Sequence, residues 1–91
     1  MDETTVQWTE YMQYRAALRG FNLGRIEEIV LYSTERYMDT ATIRKVAVGS
    51  HGADLVVIPY DENDNIITPV TIHVTTRRQI DFRIQSGRFV Q

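Results

Sequence analysis

A run of large apolar residues, Leu55-Val56-Val57-Ile58, lies between two polar segments in the second half of the chain. Turn-forming residues precede the run at 50–54, and a polar connection follows it at 61–65. An uninterrupted apolar run of this length is typical of a strand that is covered on both faces of a sheet. We therefore predict that this segment is a central strand with other elements packed on both sides of it.

Two further strands are predicted around this one, at 44–49 and at 66–75, because their apolar residues alternate with polar ones. Alternation divides the end of the last strand into a core-facing set, Val70, Ile72 and Val74, and a polar set, Thr71, His73 and Thr75. An additional short strand can run through Tyr37, ahead of a turn at 39–42. The expected sheet therefore has three or four antiparallel strands.

Apolar residues at steps of three and four predict helices at 5–19, 23–31 and 77–86. The residues that mark the helix ends are Gly20, Asn22, Thr76 and Gly87. A chain of 91 residues has the length of one small domain. We predict a single α+β domain over 1–91, with two N-terminal helices, a small antiparallel sheet and a C-terminal helix.

The composition excludes several classes of protein. There is no cysteine, so a disulfide framework and a thiolate metal site are excluded, and the cytoplasm is the expected location. The two histidines, His51 and His73, lack the spacing of metal ligands, and the five glycines form no phosphate-binding loop, so we expect no metal and no cofactor. The acidic N-terminus does not resemble a secretory signal, and no apolar stretch approaches the roughly 20 residues that span a membrane.

Charge is distributed unevenly along the chain. The net charge of -2 argues against a non-specific nucleic-acid binder, yet residues 77–91 contain four arginines and one aspartate. Arg77 and Arg78 begin the last predicted helix, where a cation opposes the helix dipole, so an anionic partner would explain their position better than helix stability does. Arginine suits bidentate contacts with phosphate as well as with carboxylate.

A polar face of the predicted sheet can combine these arginines with a histidine. We predict Arg44, His73 and Arg77 as catalytic residues, because metal-free RNA cleavage needs proton transfer and stabilisation of the phosphorane charge. The predicted substrate-binding residues are Thr75, Thr76, Arg78, His51 and Tyr60. A lone strand histidine is more often a half-exposed structural residue, and a tyrosine such as Tyr60 more often packs at the edge of a core.

Four segments of the chain, 32–37, 43–49, 54–60 and 70–80, together resemble the BrnT-like branch of the RelE superfamily. The most specific feature is an arginine-led strand that ends in glycine, an apolar strand that ends in tyrosine, and a last strand that runs into Thr76-Arg77-Arg78. The resemblance implies a small toxin of a bacterial toxin-antitoxin pair, with metal-independent endoribonuclease activity and a cognate antitoxin. It also implies a set of candidate functional residues, which lie at positions that match the family pattern: Arg44, Thr76, Arg77 and Arg78.

Two functional hypotheses follow. The first is a toxin-type endoribonuclease that cuts RNA by general acid-base chemistry, and the second is a non-catalytic module that binds a protein partner through the same sheet. A domain of this size buries only about 60–65% of its unfolded surface, so a second copy or a partner can supplement its core. The aromatic residues Trp8, Tyr11 and Tyr14 predict that the first helix belongs to such a contact surface.

Overall fold

The computed structural model describes residues 3–91 of the chain. Its three helices are α1 (Glu10–Arg19), α2 (Leu23–Tyr32) and α3 (Arg77–Gln85). Its strands are β1 (Thr5–Val6), β2 (Glu35–Asp39), β3 (Arg44–His51), β4 (Asp54–Asn63), β5 (Ile66–Pro69), β6 (His73–Thr75) and β7 (Phe89–Val90). The predicted α+β class is confirmed.

The strands form one mixed, seven-stranded sheet, in which six strands follow the order β1-β5-β4-β3-β2-β7 and β6 also pairs with β4. Strand β4 pairs with β3 along one edge, while β5 and β6 pair with successive parts of its other edge. All pairings are antiparallel except that of β1 with β5. The sheet is therefore larger than the three or four strands that we predicted.

A hydrophobic layer lies on each face of the sheet. On one face, α1 and α2 cover a cluster that includes Val56 and Ile58 of β4. On the other face, α3 covers a second cluster that includes Val57 of β4 and Ile80 of α3. Neighbouring side chains of β4 are thus buried in opposite layers, and the prediction of a central strand that is covered on both faces is confirmed.

The packing of α2 on β3 depends on Gly49. A Cβ atom at this position would lie 2.8 Å from the side chain of Ile29, which is closer than real Cβ contacts allow. The absence of a side chain lets the helix approach the strand closely. The glycine that ends the alternating segment 44–49 is therefore a packing residue.

The predicted helix starts are confirmed for α2 and α3, but the predicted start of the first helix is wrong. Asn22 and Thr76 cap their helices by accepting hydrogen bonds from the backbone N–H groups three residues later. The first helix begins at Glu10 rather than at residue 5, because Thr9 caps it in the same way and Thr5–Val6 pairs with β5 as β1. A contact with a distant strand overrides the local helical pattern there.

The predicted strand 66–75 is interrupted. Pro69 ends β5, and the chain then crosses to pair with a different part of β4 as β6. Ile72 is buried as expected, but Val74 is 54% exposed and does not belong to the core, whereas Thr75 is buried. The side of β6 that packs against a helix is the one with Thr75, whose hydroxyl donates a hydrogen bond of 3.0 Å to Gln79 of α3.

Two substitutions by aspartate should distinguish the central strand from β6. We expect Val57→Asp to lower the free energy of unfolding by about 3–5 kcal/mol, because it buries an unpaired charge in the layer under α3. Val74→Asp, on the neighbouring strand, should change it by less than about 0.5 kcal/mol. Urea titration followed by circular dichroism measures both, and equal stability of the two variants would contradict the assigned burial.

Candidate functional site

A cavity of about 440 Å³ lies between α3 and the sheet, and we call it the α3 cleft. Its apolar lining includes Val46, Val57 and Pro59 of the two central strands. Its polar and charged lining residues are Asp39, Thr42, Arg44, Thr71, His73, Thr75, Gln79, Arg83 and Arg88. Three arginines and one aspartate line the cleft, so it carries positive charge on a protein whose net charge is negative.

Arg44 enters the cleft from the first position of β3. Val46 lies two residues later on the same strand, so alternation directs both side chains to the face of the sheet under α3. The Nε group of Arg44 donates a hydrogen bond of 2.9 Å to a carboxylate oxygen of Asp61. Both side chains are substantially exposed, and such pairs contribute little free energy. An incoming phosphate can therefore compete with Asp61 for this guanidinium.

His73 occupies the first position of β6, and its ring lines the same cleft. The Nη2 group of Arg15 on α1 lies 3.2 Å from the Nδ1 atom of His73 and also donates to the backbone oxygen of Ile72. A guanidinium can donate but cannot accept, so Nδ1 must accept, and the neutral ring carries its proton on Nε2. The neutral ring of His73 therefore has its N–H donor at Nε2.

The charge state of His73 agrees with this arrangement. Burial lowers the pKa of His73 below its ordinary value of 6.5, and the positive charges of Arg15, Arg83 and Arg19 lower it further. No carboxylate within residues 3–91 acts in the opposite direction. The imidazole is therefore neutral at pH 7, and the electrostatic field at the ring is one that attracts an anion.

Arg83 reaches the cleft from the last turn of α3. It lies three residues after Ile80, the buried residue of this helix, so the two side chains share the face that looks toward the sheet. Its guanidinium carbon lies 5.5 Å from the ring centroid of Phe89. Within residues 3–91 it forms no ion pair, so its charge is free to meet a ligand.

Arg88 has a structural role, because it forms an ion pair with Asp39. Its Nε and Nη2 groups donate hydrogen bonds of 3.1 and 3.2 Å to the two carboxylate oxygens of Asp39. Burial raises the pKa of Asp39, but the hydrogen bonds from Arg88 and from the backbone of Ala41 outweigh burial and hold the pKa below its usual value. The ion pair fastens the residue before β7 to the end of β2.

Arg83 was not predicted as a site residue, because a cation near the C-terminus of a helix is explained by the helix dipole alone. Ile80 is fully buried, whereas Ile84 is 41% exposed. The inward face of α3 therefore continues from Ile80 to Arg83, at a step of three residues. The low apolar content of this segment was the signal that could have shown that its inner face is partly polar.

Arg77 does not line the α3 cleft. It lies in the first turn of α3, where its guanidinium donates to both carboxylate oxygens of Glu35 on β2, with Nη2–Oε1 at 2.9 Å. Glu35 also accepts a hydrogen bond of 2.7 Å from the hydroxyl of Tyr37. Burial, followed by this hydrogen bond, raises the pKa of Tyr37 to about 12. The anion that we expected beside Arg77 is a carboxylate of the same chain.

The predicted substrate-binding residues are divided among several places. Thr75 lines the cleft, Thr76 caps α3, and Arg78 lines a shallow cavity beside the helix. His51 accepts a hydrogen bond of 2.9 Å from the backbone of Asn22, next to α2.

Tyr60 belongs to the core cluster under α1 and α2. Its hydroxyl accepts a hydrogen bond of 3.0 Å from Arg36, whose guanidinium also binds backbone oxygens at the end of α2. Tyr60 and His51 therefore lie on the face of the sheet opposite to the α3 cleft, where their contacts stabilise the helices.

Searches of protein-family models, curated proteins and solved structures found no match to this chain. None of the three helices in the described part of the chain is long and apolar enough to cross a membrane. Within residues 3–91, the His, Asp and Glu side chains form no group of three or more that could hold a metal ion. The α3 cleft and its residues are therefore the basis on which a function can be argued.

The Arg77–Glu35 pair should show itself as a pH-dependent part of stability. The hydrogen bond from Arg77 lowers the pKa of Glu35 below 4.5, although burial opposes this effect. A carboxylate whose pKa is lowered by folding stabilises the fold at pH values above its pKa in the unfolded state. This stability is lost as the pH falls through the pKa of the folded state. The pair is partly exposed, so Arg77→Ala should cost at most about 1 kcal/mol at pH 7.

Thermal melting of the wild type and of Arg77→Ala at several pH values measures this contribution. We expect the variant to melt at most about 4–8 °C below the wild type at pH 7, with the difference shrinking as the pH falls below 4.5. Arg78→Ala is the matched control, because no ion pair of Arg78 is present within residues 3–91. A difference that persisted unchanged at low pH would contradict a role in pairing.

Proposed function

We propose that the protein is a metal-independent endoribonuclease of the toxin type, and that the α3 cleft binds the phosphodiester that is cut. The observation that carries the proposal is the convergence of Arg44, Arg83 and the neutral His73 on one cavity, with Arg88 held behind them by Asp39. Guanidinium groups suit both the binding of a phosphate and the charge that grows on it in the transition state. The resemblance to BrnT-like toxins supports the same reading and suggests an antitoxin as the partner.

The proposed reaction is an internal transfer within the RNA strand. The 2′-oxygen attacks phosphorus, a bond forms between them, and the bond from phosphorus to the 5′-oxygen breaks, which leaves a 2′,3′-cyclic phosphate. Solvent hydroxide takes the proton of the 2′-hydroxyl, and water returns a proton to the 5′-oxygen. Arg44 and Arg83 stabilise the phosphorane oxygens, and His73 donates its Nε2–H to one of them.

This assignment changes the role that we expected for His73. A general base needs a free lone pair, but Arg15 occupies Nδ1, and Nε2 carries the proton in the neutral ring. A neutral imidazole with a lowered pKa can act as a hydrogen-bond donor instead. His73 thus contributes to charge stabilisation, together with the two arginines.

A second candidate function is a module that binds a protein without cutting RNA. Two observations favour it: Arg44 and Arg88 already pair with carboxylates, and α1 exposes Tyr11, Tyr14 and Leu18 along one stripe. Exposed aromatic residues are common in protein interfaces. In the leading proposal this stripe is where the antitoxin binds, while in the second it is part of the main function.

Removal of either available arginine should abolish most of the cleavage. We expect Arg44→Ala and Arg83→Ala each to lower the rate by at least ~10²-fold, because each removes a donor to the transition-state charge. The assay follows a fluorescent single-stranded RNA in the presence of a chelator and identifies the cyclic phosphate product.

Lys45→Ala is the matched control for this assay. Lys45 is next to Arg44 on β3 and also pairs with a carboxylate, that of Glu62, but it lines a different cavity on the opposite face of the sheet. We expect this variant to cleave at the wild-type rate. Intact RNA with the wild-type protein, or an equal loss in Lys45→Ala, would contradict the proposal and favour the protein-binding module.

The pH dependence of cleavage distinguishes a donor from a base at His73. With hydroxide as the base, the logarithm of the rate should rise steadily with pH from 6 to 9. If His73 were the base, the rate would rise only up to its pKa, which lies below 6.5, and would then reach a plateau. Glutamine also carries an N–H donor, so we expect His73→Gln to retain more activity than His73→Ala. A plateau with equal losses in both variants would show that His73 accepts the proton.

A further inference from the structure

Phe82 lies exposed on α3 although the fold does not need it there. Its side chain is 62% exposed, and it is absent from both buried core clusters. The helix contacts the sheet through Ile80, and Phe82 is two positions further along, on a different face. Single exposed apolar residues are common on protein surfaces, so the residues around this ring decide whether it has a function.

A shallow cavity of about 490 Å³ surrounds this ring. Its lining residues are Arg78, Gln79, Phe82, Arg83, Ser86 and Arg88. No acidic residue is among them, whereas three are arginines. Gln79, Arg83 and Arg88 also line the α3 cleft, so the two cavities are adjacent and share these side chains.

We propose that Phe82 is the stacking platform for a base of single-stranded RNA whose neighbouring phosphate occupies the α3 cleft. This inference rests on the proposed function and adds a subsite that holds the substrate strand next to the scissile phosphodiester. A nucleobase has two apolar faces and is flanked by phosphates, which matches an aromatic floor with arginines around it. Gln79 and Ser86 supply hydrogen-bonding groups at the border of the platform.

The charges favour RNA over a protein partner at this place. Arg78 and Arg83 form no ion pair within residues 3–91, so a partner here must bring its own negative charge. An acidic peptide could do so, but it would not require an aromatic ring rather than an aliphatic one. RNA provides both a negative charge at every phosphate and a flat ring at every base.

Binding of an RNA strand that cannot be cut tests the platform separately from catalysis. The probe is a fluorescent 12-nucleotide RNA strand with a 2′-O-methyl group on every ribose, which blocks the attacking hydroxyl, and binding is measured by anisotropy. We expect Phe82→Ala to weaken binding by about 5- to 150-fold, as the loss of one stacked base does. Phe82→Leu should weaken binding of the probe to the same extent, whereas Phe82→Trp should bind the probe as well as the wild type does.

Tyr11→Ala is the matched control, because Tyr11 is an aromatic residue of similar exposure on α1, outside both cavities. We expect it to bind the probe like the wild type. A strand of abasic units should bind the wild type and Phe82→Ala equally, since it offers no base to stack.

The possible failures are distinguishable. If the wild type binds the probe but Phe82→Ala and Phe82→Leu bind equally well, the platform is wrong and the cleavage proposal is unaffected. If Phe82→Ala loses affinity for polyglutamate instead of the probe, the surface is a protein site and the inference is overturned. If the wild type does not bind RNA at all, both proposals fall together.

Discussion

The pairing of β4 with three other strands is the constraint on which the rest of the structure depends. One edge of β4 pairs with β3 from Asp54 to Tyr60, while the other is shared by β5 and β6. Its side chains Val56 and Ile58 enter the layer under α1 and α2, and Val57 enters the layer under α3. Both layers, and the α3 cleft on one face of the sheet, therefore rely on this strand.

The elements that depend on residues close together in the chain could be predicted from the sequence. The elements that depend on pairing with distant residues could not. The central strand and the capped helix α2 follow from local patterns of apolar and capping residues. The strands β1 and β7 have two residues each, which is too short to show any alternation. They exist because Thr5 pairs with Ile66 and because Phe89 pairs with Asp39, and no local pattern indicates such partners.

The same distinction separates the predicted site residues that the structure brings together from those that it does not. Arg44, His73 and Thr75 meet in the cleft because strand alternation places them on one face. Such alternation is visible in the sequence. Arg77 is held by Glu35, whose position beside it depends on how α3 crosses β2. An arginine at a helix start indicates an anion, but it does not reveal whether that anion is a ligand or a carboxylate of the protein.

The acidic partners of the arginines are compatible with the proposal that a slightly acidic protein binds a phosphodiester. Asp39 is buried and keeps Arg88 as part of the scaffold, whereas Asp61 is exposed and can yield Arg44 to a ligand. Arg83 has no such partner within residues 3–91. Two available guanidinium groups and one neutral donor therefore face the cleft, which suits a group with a single negative charge.

The backbone next to Arg44 adopts a conformation that lowers local stability but positions the side chain. Ile43 has φ of 55°, a conformation that costs a β-branched residue about 1–3 kcal/mol. Its side chain is 78% exposed, so packing does not compensate for this cost. The turn that contains Ile43 joins Thr42, which lines the cleft, to Arg44 at the start of β3. The strained turn thus sets the point at which the Arg44 side chain enters the cleft, and that placement is what the proposed chemistry requires.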